Sequence, residues 1–193
     1  MQEMVIDLEG IRFRVVRGDI TKYPADAIVN AANRYLRHGG GVALAIARAA
    51  SSQEEYTKLS REEMLKQVGR DYIEHGEVVV TPALNMEKFG IKYVIHTVGP
   101  YCGGEWNDRL KEKLRKALLA PLLKAEEMGL KSIAFPAVSS GIYGCPFEEV
   151  VSLMFEVVRE FARNKRSIEE VALVLYDDRA AFKACEVLKS LVD

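Results

Sequence analysis

Cysteine is scarce in this sequence. Cys102, Cys145 and Cys185 are the three cysteines among 193 residues, and no two of them form a CxxC pair. The odd number and the wide spacing argue against a disulfide framework and against a zinc site. Cys145 stands at a predicted helix start, where a thiolate would be stabilised, but apolar packing beside a loop is the favoured role for it. No cluster of metal ligands is evident, so neither a metal nor another cofactor is expected.

Net charge and long apolar runs are also missing. The formal charge is −1 at pH 7 and the basic residues are scattered, which argues against a general nucleic-acid or membrane surface. The apolar stretches are too short to cross a bilayer, and the first ten residues lack the charged-then-apolar pattern of a signal peptide. We expect a soluble, cytoplasmic protein. No linker, low-complexity run or repeat interrupts the sequence, so one domain covering residues 1–193 is expected.

The sequence does contain two glycine-rich turns, each between a predicted strand and a predicted helix. The first is NAANRYLRHGGGVALAIARA, from Asn30 to Ala49, and the second is FPAVSSGIYG, from Phe135 to Gly144. Glycine lets a phosphate approach the backbone closely, and a helix N-terminus adds about half a positive charge. Neither turn carries the lysine of the nucleoside-triphosphate loop GxxxxGKS/T. The turns therefore predict two backbone cradles that bind a diphosphate without transferring it.

Strand and helix patterns alternate along the rest of the chain. Strands are predicted at residues 4–8, 12–17, 27–29, 78–81, 93–97, 132–135 and 171–175. Helices are predicted at residues 42–50, 52–68, 107–128 and 179–191, and another opens with Pro146 in its first turn. Several strands are apolar on both faces, so helices must cover both sides of the sheet. The pattern predicts a three-layer α/β/α domain with its ligand beyond the carboxyl ends of the strands.

The motifs resemble those of the macro domain family. The resemblance rests on NAANRYLRHGGGVA, on HTVGP at His96 to Pro100 and on FPAVSSGIYG, and it runs from RGDI at Arg17 to YDD at Tyr176. It is closest to stand-alone archaeal and bacterial members, and the HGGGVA segment also resembles viral ones. The family implies a three-layer α/β/α sandwich with a mixed central sheet. It also implies a cleft for ADP-ribose, free or attached to protein.

The resemblance also implies the contacts with the ligand. Asp19 would accept a hydrogen bond from the adenine amino group beside Ile20, and Tyr176 would stack on the adenine. Spacing alone would instead make Asp19 a turn residue and Tyr176 a packing residue at the sheet edge. Asn33 would contact the distal ribose, while Asn30 would hold the loop through side-chain-to-backbone bonds. The phosphates and the ribose would meet Gly40, Gly41, Val42, Ser139, Ser140, Gly141, Ile142 and Tyr143.

The first turn also carries the hypothesis of catalysis. One hydrolase branch of the family has an aspartate directly after GGGV, where this sequence has Ala43. The viral-like pattern of an asparagine and a histidine before the glycines is matched by Asn33 and His38. These two are the candidate catalytic residues, with Asn33 orienting the ribose and His38 assisting near the leaving group. His38 could instead fix the loop geometry, and His96, inside a strand, is expected to be a core histidine.

Three functions stay open from the sequence. The first is slow hydrolysis of ADP-ribosyl esters on acidic side chains, or alternatively of ADP-ribose 1″-phosphate. The second is a reader of ADP-ribose without turnover. The third is a general adenine-nucleotide or RNA-end binder, which the near-neutral charge disfavours, although an end of poly-ADP-ribose is compatible with the cleft. The expected partners are ADP-ribose and ADP-ribosylated proteins, and no membrane is expected.

Overall fold

The strand-forming segments assemble into one seven-stranded sheet. A computed structural model describes residues 3–192. Its strands are β1 Met4–Leu8, β2 Ile11–Arg17, β3 Ala27–Ala31, β4 Val79–Pro82, β5 Tyr93–Thr97, β6 Ser132–Phe135 and β7 Glu170–Leu175. Their order across the sheet is β1-β2-β7-β6-β3-β5-β4. The outer strands β1 and β4 run antiparallel to their neighbours and the other pairs are parallel. The mixed sheet is therefore confirmed.

Helices cover both faces of this sheet. Within residues 3–192 the α-helices are α1 Gly41–Ala50, α2 Gln53–Val68, α3 Asp108–Glu127, α4 Phe147–Ala162 and α5 Asp178–Val192. Helices α3, α4 and α5 share one apolar core with the sheet, and α1 and α2 pack in a second core on the other face. The three-layer sandwich is thus confirmed. None of the helices in the described chain has the length and apolarity needed to cross a bilayer.

Local signals set the ends of these helices. Asn107 caps α3, because its side chain accepts a hydrogen bond from the Leu110 N–H at 2.9 Å. Gly129, with φ +71°, follows the last turn of α3 and lets the chain leave in the left-handed conformation. Pro146 is the N-cap of α4, so the prediction of a first-turn proline is wrong by one position.

The parallel strands fix where the connecting loops meet. Strands β2, β7, β6, β3 and β5 all point the same way, so their carboxyl ends lie along one edge of the sheet. The first loop (residues 32–40) leaves β3 there and enters α1, and the second loop (residues 136–146) leaves β6 and enters α4. The segments after β2, β5 and β7 open on the same edge. Five separate stretches of sequence are thereby brought together.

The cysteines depart from the sequence prediction. Cys102 and Cys145 form a disulfide; their Cα atoms are 4.8 Å apart and their sequence separation is 43. The argument from an odd cysteine count against a disulfide is therefore wrong, and so is the isolated packing role for Cys145. The pair forms because the segment after β5 and the end of the second loop meet at the same sheet edge. Cys185, in α5, is buried and free.

Candidate ligand-binding site

A cleft with a volume of about 1000 Å³ opens at the carboxyl edge of the sheet. This volume is at the upper end of the roughly 300–1,000 Å³ that small-molecule sites occupy. Both glycine-rich loops line it, together with residues after β2, β5 and β7. Every residue that the sequence analysis assigns to ligand binding lies on its wall: Asp19, Ile20, Asn33, Gly40, Gly41, Val42, Ser139, Ser140, Gly141, Ile142, Tyr143 and Tyr176. Their contacts with a ligand stay predictions.

The first loop delivers an uncapped helix N-terminus to the cleft. Helix α1 starts at Gly41, which has φ +57°, and its N-cap Gly40 offers no side chain to bond the first N–H groups. Among the described residues, a Cβ built on Gly39, Gly40 or Gly41 would meet no atom within 4 Å. Nothing therefore shields the positive end of α1 from an anion in the cleft.

The second loop presents further N–H groups to the same cleft. Ser139 has a positive φ of 65°, and such a left-handed residue turns successive amides toward one side and forms a concave anion site. Ile142 is 87% exposed at the rim. Among the backbone N–H groups of the second loop, those of Ala137, Ser139, Gly141, Ile142 and Tyr143 find no acceptor within residues 3–192. The two loops, which leave the neighbouring strands β3 and β6, thus supply free backbone donors to one cleft.

Side-chain charge in the cleft is sparse. Of the lining residues in the described chain, Arg37 is the one cation and Asp19 the one anion. Within the same residues no three His, Cys, Asp or Glu side chains group as metal ligands do. A diphosphate in the cleft would therefore be neutralised mainly by amide dipoles and by the end of α1, with Arg37 at the edge.

Asp19, Ile20 and Tyr176 lie together on the cleft wall, after β2 and β7. The Oδ1 atom of Asp19 accepts hydrogen bonds from the N–H of Thr21 at 3.0 Å and from its hydroxyl at 2.7 Å. Asp19 is therefore the turn residue that spacing suggests, yet its Oδ2 has no partner among residues 3–192. Ile20 is buried, whereas Tyr176 is 79% exposed, so the tyrosine ring is not part of the sheet packing.

The two asparagines of the first turn are held by different partners. The Asn33 side chain is bonded to its own loop: Oδ1 accepts from the N–H groups of Tyr35 and Arg37 at 3.1 Å each, and Nδ2 donates to the Arg37 carbonyl at 2.6 Å. One Nδ2 hydrogen is left for a ligand. The loop-holding role assigned to Asn30 is thus carried out by Asn33. Asn30 is buried, and its Nδ2 lies 3.0 Å from Nδ1 of His96.

The structure corrects the placement of His38. Its side chain is 1% exposed and is not part of the cleft wall. Nε2 lies 2.9 Å from the Ser60 hydroxyl of α2, and the ring stacks on His96 with centroids 5.2 Å apart. Burial lowers the pKa of His38 to about 4, so the imidazole is neutral near pH 7. Because the ring is buried away from the cleft wall, it is not placed to assist a leaving group, and His38 instead ties the first loop to α2.

His96 is the core histidine that the sequence predicts. It is fully buried in β5, and burial, with the nearby His38 adding a smaller effect, lowers its pKa well below 6.5. Its Nε2 lies 2.8 Å from the Thr81 hydroxyl, which is also 2.7 Å from the hydroxyl of Tyr56 in α2. This buried polar network contacts the first loop through His38, whose ring stacks on His96.

Gly99 and Arg37 are among the cleft residues that the sequence analysis does not assign to ligand binding. Gly99 follows β5, and a Cβ built on it would lie 2.0 Å from Ser139 Oγ and 2.9 Å from Val138 Cγ1. The second loop therefore rests directly on this glycine. A signal was present, since Gly99 belongs to the HTVGP motif at the end of a strand. Arg37 carried no signal beyond its nearness to Asn33.

Known proteins similar to this chain agree on one family. The Macro domain family model matches residues 29–154. An uncharacterized protein of Thermococcus kodakarensis is 64% identical over 170 residues, which is 88% of this chain and 94% of that protein. An Archaeoglobus fulgidus protein named ADP-ribose glycohydrolase is 58% identical over 180 residues, covering 93% of each.

Solved structures give the same result. A macrodomain of Oceanobacillus iheyensis with ADP is 32% identical, with a TM-score of 0.87 over 98% of this chain and 96% of that one. A mutant of the O. iheyensis macrodomain with ADPR is 31% identical, with a TM-score of 0.88 over 98% of both chains. The fold and the arrangement of its elements are thus those of these structures.

Proposed function

This chain belongs to the macro domain family, and we propose that it binds ADP-ribose, free or attached to protein, in the cleft between its two loops. The observation that carries the proposal is the pair of backbone cradles that line one cleft: the uncapped start of α1 and the free N–H groups of the second loop. Two cradles in one cleft suit two linked phosphates. The related structures with ADP and with ADPR support the same class of ligand.

The side chains around the cleft give the ligand a direction. Oδ2 of Asp19, which has no partner in the described chain, accepts a hydrogen bond from the adenine amino group. Guanine presents a carbonyl oxygen at the same edge and is repelled. The exposed ring of Tyr176 stacks on the base, an interaction worth about 1–3 kcal/mol for bases on aromatic side chains. The distal ribose then lies toward Asn33, whose remaining Nδ2 hydrogen contacts a ribose hydroxyl.

The finer proposal is slow hydrolysis of ADP-ribosyl esters on acidic side chains. Water attacks C1″ of the distal ribose, the bond from C1″ to the ester oxygen breaks, and the side chain leaves as a carboxylate while the proton passes to solvent. A carboxylate with a pKa of about 4 departs without a general acid, so the burial of His38 is no obstacle. Ala43 offers no side-chain base that could position the water. We therefore assign that role to the bound diphosphate. The printed name of the A. fulgidus relative supports hydrolysis.

Calorimetric titration with ADP-ribose, ADP and AMP tests the binding proposal. We expect one-to-one binding of ADP-ribose that is much tighter than binding of AMP, because AMP reaches only part of the paired cradles. Equal affinities for AMP and ADP-ribose would contradict the assignment and would favour a general adenine-nucleotide binder.

Turnover is tested separately with the protein in excess over its substrates. A peptide carrying ADP-ribose on a glutamate and ADP-ribose 1″-phosphate are incubated in parallel, and release of ADP-ribose is followed by chromatography. We expect release from the peptide. Release from the phosphate alone would identify the alternative phosphatase reaction, and tight binding without release from either would identify a reader.

A further inference from the structure

The Cys102–Cys145 disulfide lies at the base of the second loop. Cys145 is near the end of that loop, and Cys102 belongs to the β5 extension, which we define as residues 99–104. The two side chains are 4% and 3% exposed. Two segments from distant parts of the sequence are therefore joined covalently beside the proposed diphosphate cradle.

Backbone hydrogen bonds join the same two segments. The N–H groups of Cys102 and Gly103 both donate to the carbonyl of Tyr143, at 2.7 and 3.0 Å, and the N–H of Gly104 donates to the carbonyl of Gly144 at 3.0 Å. These bonds occupy carbonyl groups of the second loop. The N–H groups of the loop that have no acceptor within residues 3–192, at 137, 139 and 141–143, belong to residues that line the cleft.

Side-chain packing adds to this attachment. Gly99 lies so close to Ser139 that no side chain fits between them, and the rings of Tyr101 and Tyr143 meet edge to face with centroids 6.0 Å apart. The second loop contains no helix or strand of its own. Its shape therefore depends on hydrogen bonds within the loop, such as that from the Cys145 N–H to the Ser139 carbonyl at 2.9 Å, and on its contacts with the β5 extension.

We propose that Cys102 and Cys145 are positioning residues for ligand binding, and this inference rests on the proposed function. Their covalent bond holds the second loop in the conformation that directs several N–H groups at one diphosphate. An anion gains from such donors only when they are fixed together in advance, because ordering them during binding lowers affinity. Breaking the disulfide therefore weakens the binding of ADP-ribose more than the binding of AMP. The contacts of AMP at its adenine end, with Asp19 and Tyr176, lie outside the second loop.

The test compares three forms of the protein by calorimetry with ADP-ribose and with AMP. They are the wild type, the double variant C102S/C145S, and the matched control Cys185→Ser, which removes the buried free thiol of α5. Circular dichroism selects a temperature at which all three are folded. We expect the double variant to lose about fivefold or more in affinity for ADP-ribose, with a smaller loss for AMP, and the control to match the wild type.

A second measurement covers the case in which the double variant does not fold. Dithiothreitol reduces the wild-type disulfide to two thiols and is itself oxidised to its cyclic disulfide; the reductant is then removed, affinity is measured, and the protein is reoxidised in air. We expect affinity for ADP-ribose to fall on reduction and to return on reoxidation. Thiol titration in denaturant should count one thiol before reduction and three after it.

The outcomes separate the two proposals. An unchanged affinity for ADP-ribose after loss of the disulfide, or an equal loss for AMP, would overturn the positioning role and leave the proposed function standing. Three titratable thiols in the unreduced protein would also overturn it. Failure of the oxidised wild type to bind ADP-ribose at all would instead overturn the proposed function.

Discussion

A single carboxylate, that of Asp19, is where recognition of adenine is best tested at the residue scale. Asp19→Ala should weaken ADP-ribose binding by roughly 1–3 kcal/mol, the range for a lost charge-assisted hydrogen bond. Because Oδ1 also caps the turn at Thr21, Asp19→Asn is the matched variant. It keeps an acceptor for the turn but presents an amide to the adenine amino group. Both variants should lose affinity in calorimetry, and unchanged affinity would refute the adenine contact.

Gly41 is the residue at which a new charge should do most harm. Gly41→Glu should abolish binding, because its carboxylate would stand at the positive end of α1, where the diphosphate is proposed to lie. No described atom lies within 4 Å of the added Cβ, so the fold should survive apart from roughly 1–2 kcal/mol for a left-handed non-glycine residue. Gly41→Gln shares that strain without the charge and should bind more strongly than the Glu variant. Normal binding by Gly41→Glu in calorimetry would mean that the first loop is not a cradle.

At the scale of elements, the sequence predicts those helices and strands whose signals come from residues close together in the chain. The strands β1, β2, β5 and β6 and the long helix α3 follow from alternation, β-rich runs and helical spacing. The order of the strands does not follow from such signals, since it depends on pairing between distant segments. For the same reason the disulfide between Cys102 and Cys145 could not be deduced from spacing.

In the candidate site, too, features set by the local sequence were predicted, and features set by contacts between distant segments were not. The glycine-rich motifs identify both loops, because free N–H groups and positive φ are local properties of the chain. The direction of the His38 side chain is not local: it is set by Ser60, 22 residues further on in α2, and by the stack with His96 in β5. That Asn33 rather than Asn30 holds the loop has a similar cause, since β5 provides the partner of the Asn30 side chain.

The contact between the β5 extension and the second loop is itself testable. Gly99→Ala places a methyl group where Ser139 Oγ and Val138 Cγ1 now lie, and it should push the second loop away from the cleft. Since small displacements of contacting groups are costly, we expect the affinity for ADP-ribose to fall about tenfold or more.

A double variant provides the control for Gly99→Ala. Ser139→Gly removes the nearest clashing atoms and suits the positive φ of 65° at that position. Adding it to Gly99→Ala should recover part of the lost affinity, as a double-mutant cycle in calorimetry would reveal. Additive losses would show that the two residues do not interact.

For the whole molecule, the buried histidines predict how stability changes with pH. The unfolded chain binds protons at His38 and His96 near pH 6.5, whereas the folded protein holds His38 at about 4 and His96 also well below 6.5. The stabilisation that comes from keeping these two histidines neutral is fully present above pH 6.5. It is lost as the pH falls toward their pKa values in the folded protein. Each histidine contributes up to about 1.4 kcal/mol of unfolding free energy per pH unit in that window.

Urea unfolding of the wild type and of His38→Gln at pH 7 and pH 5 isolates the contribution of one histidine. The variant has one fewer imidazole to protonate on unfolding, so its free energy of unfolding should fall less than that of the wild type between the two pH values. The comparison cancels the carboxylates that both proteins share. The same drop in both proteins would mean that His38 titrates alike in the folded and unfolded chains.

Because the two cradles consist of backbone N–H groups, they also determine whether protons are taken up or released when the ligand binds. An amide donor neither gains nor loses a proton on meeting an anion, so the diphosphate should be captured without proton uptake or release. The binding enthalpy of ADP-ribose should then be the same in buffers of different ionisation enthalpy, from about pH 6 to about pH 9. The stability of this protein would thus depend on pH through its buried histidines, whereas its ligand would be bound by backbone amides that do not titrate.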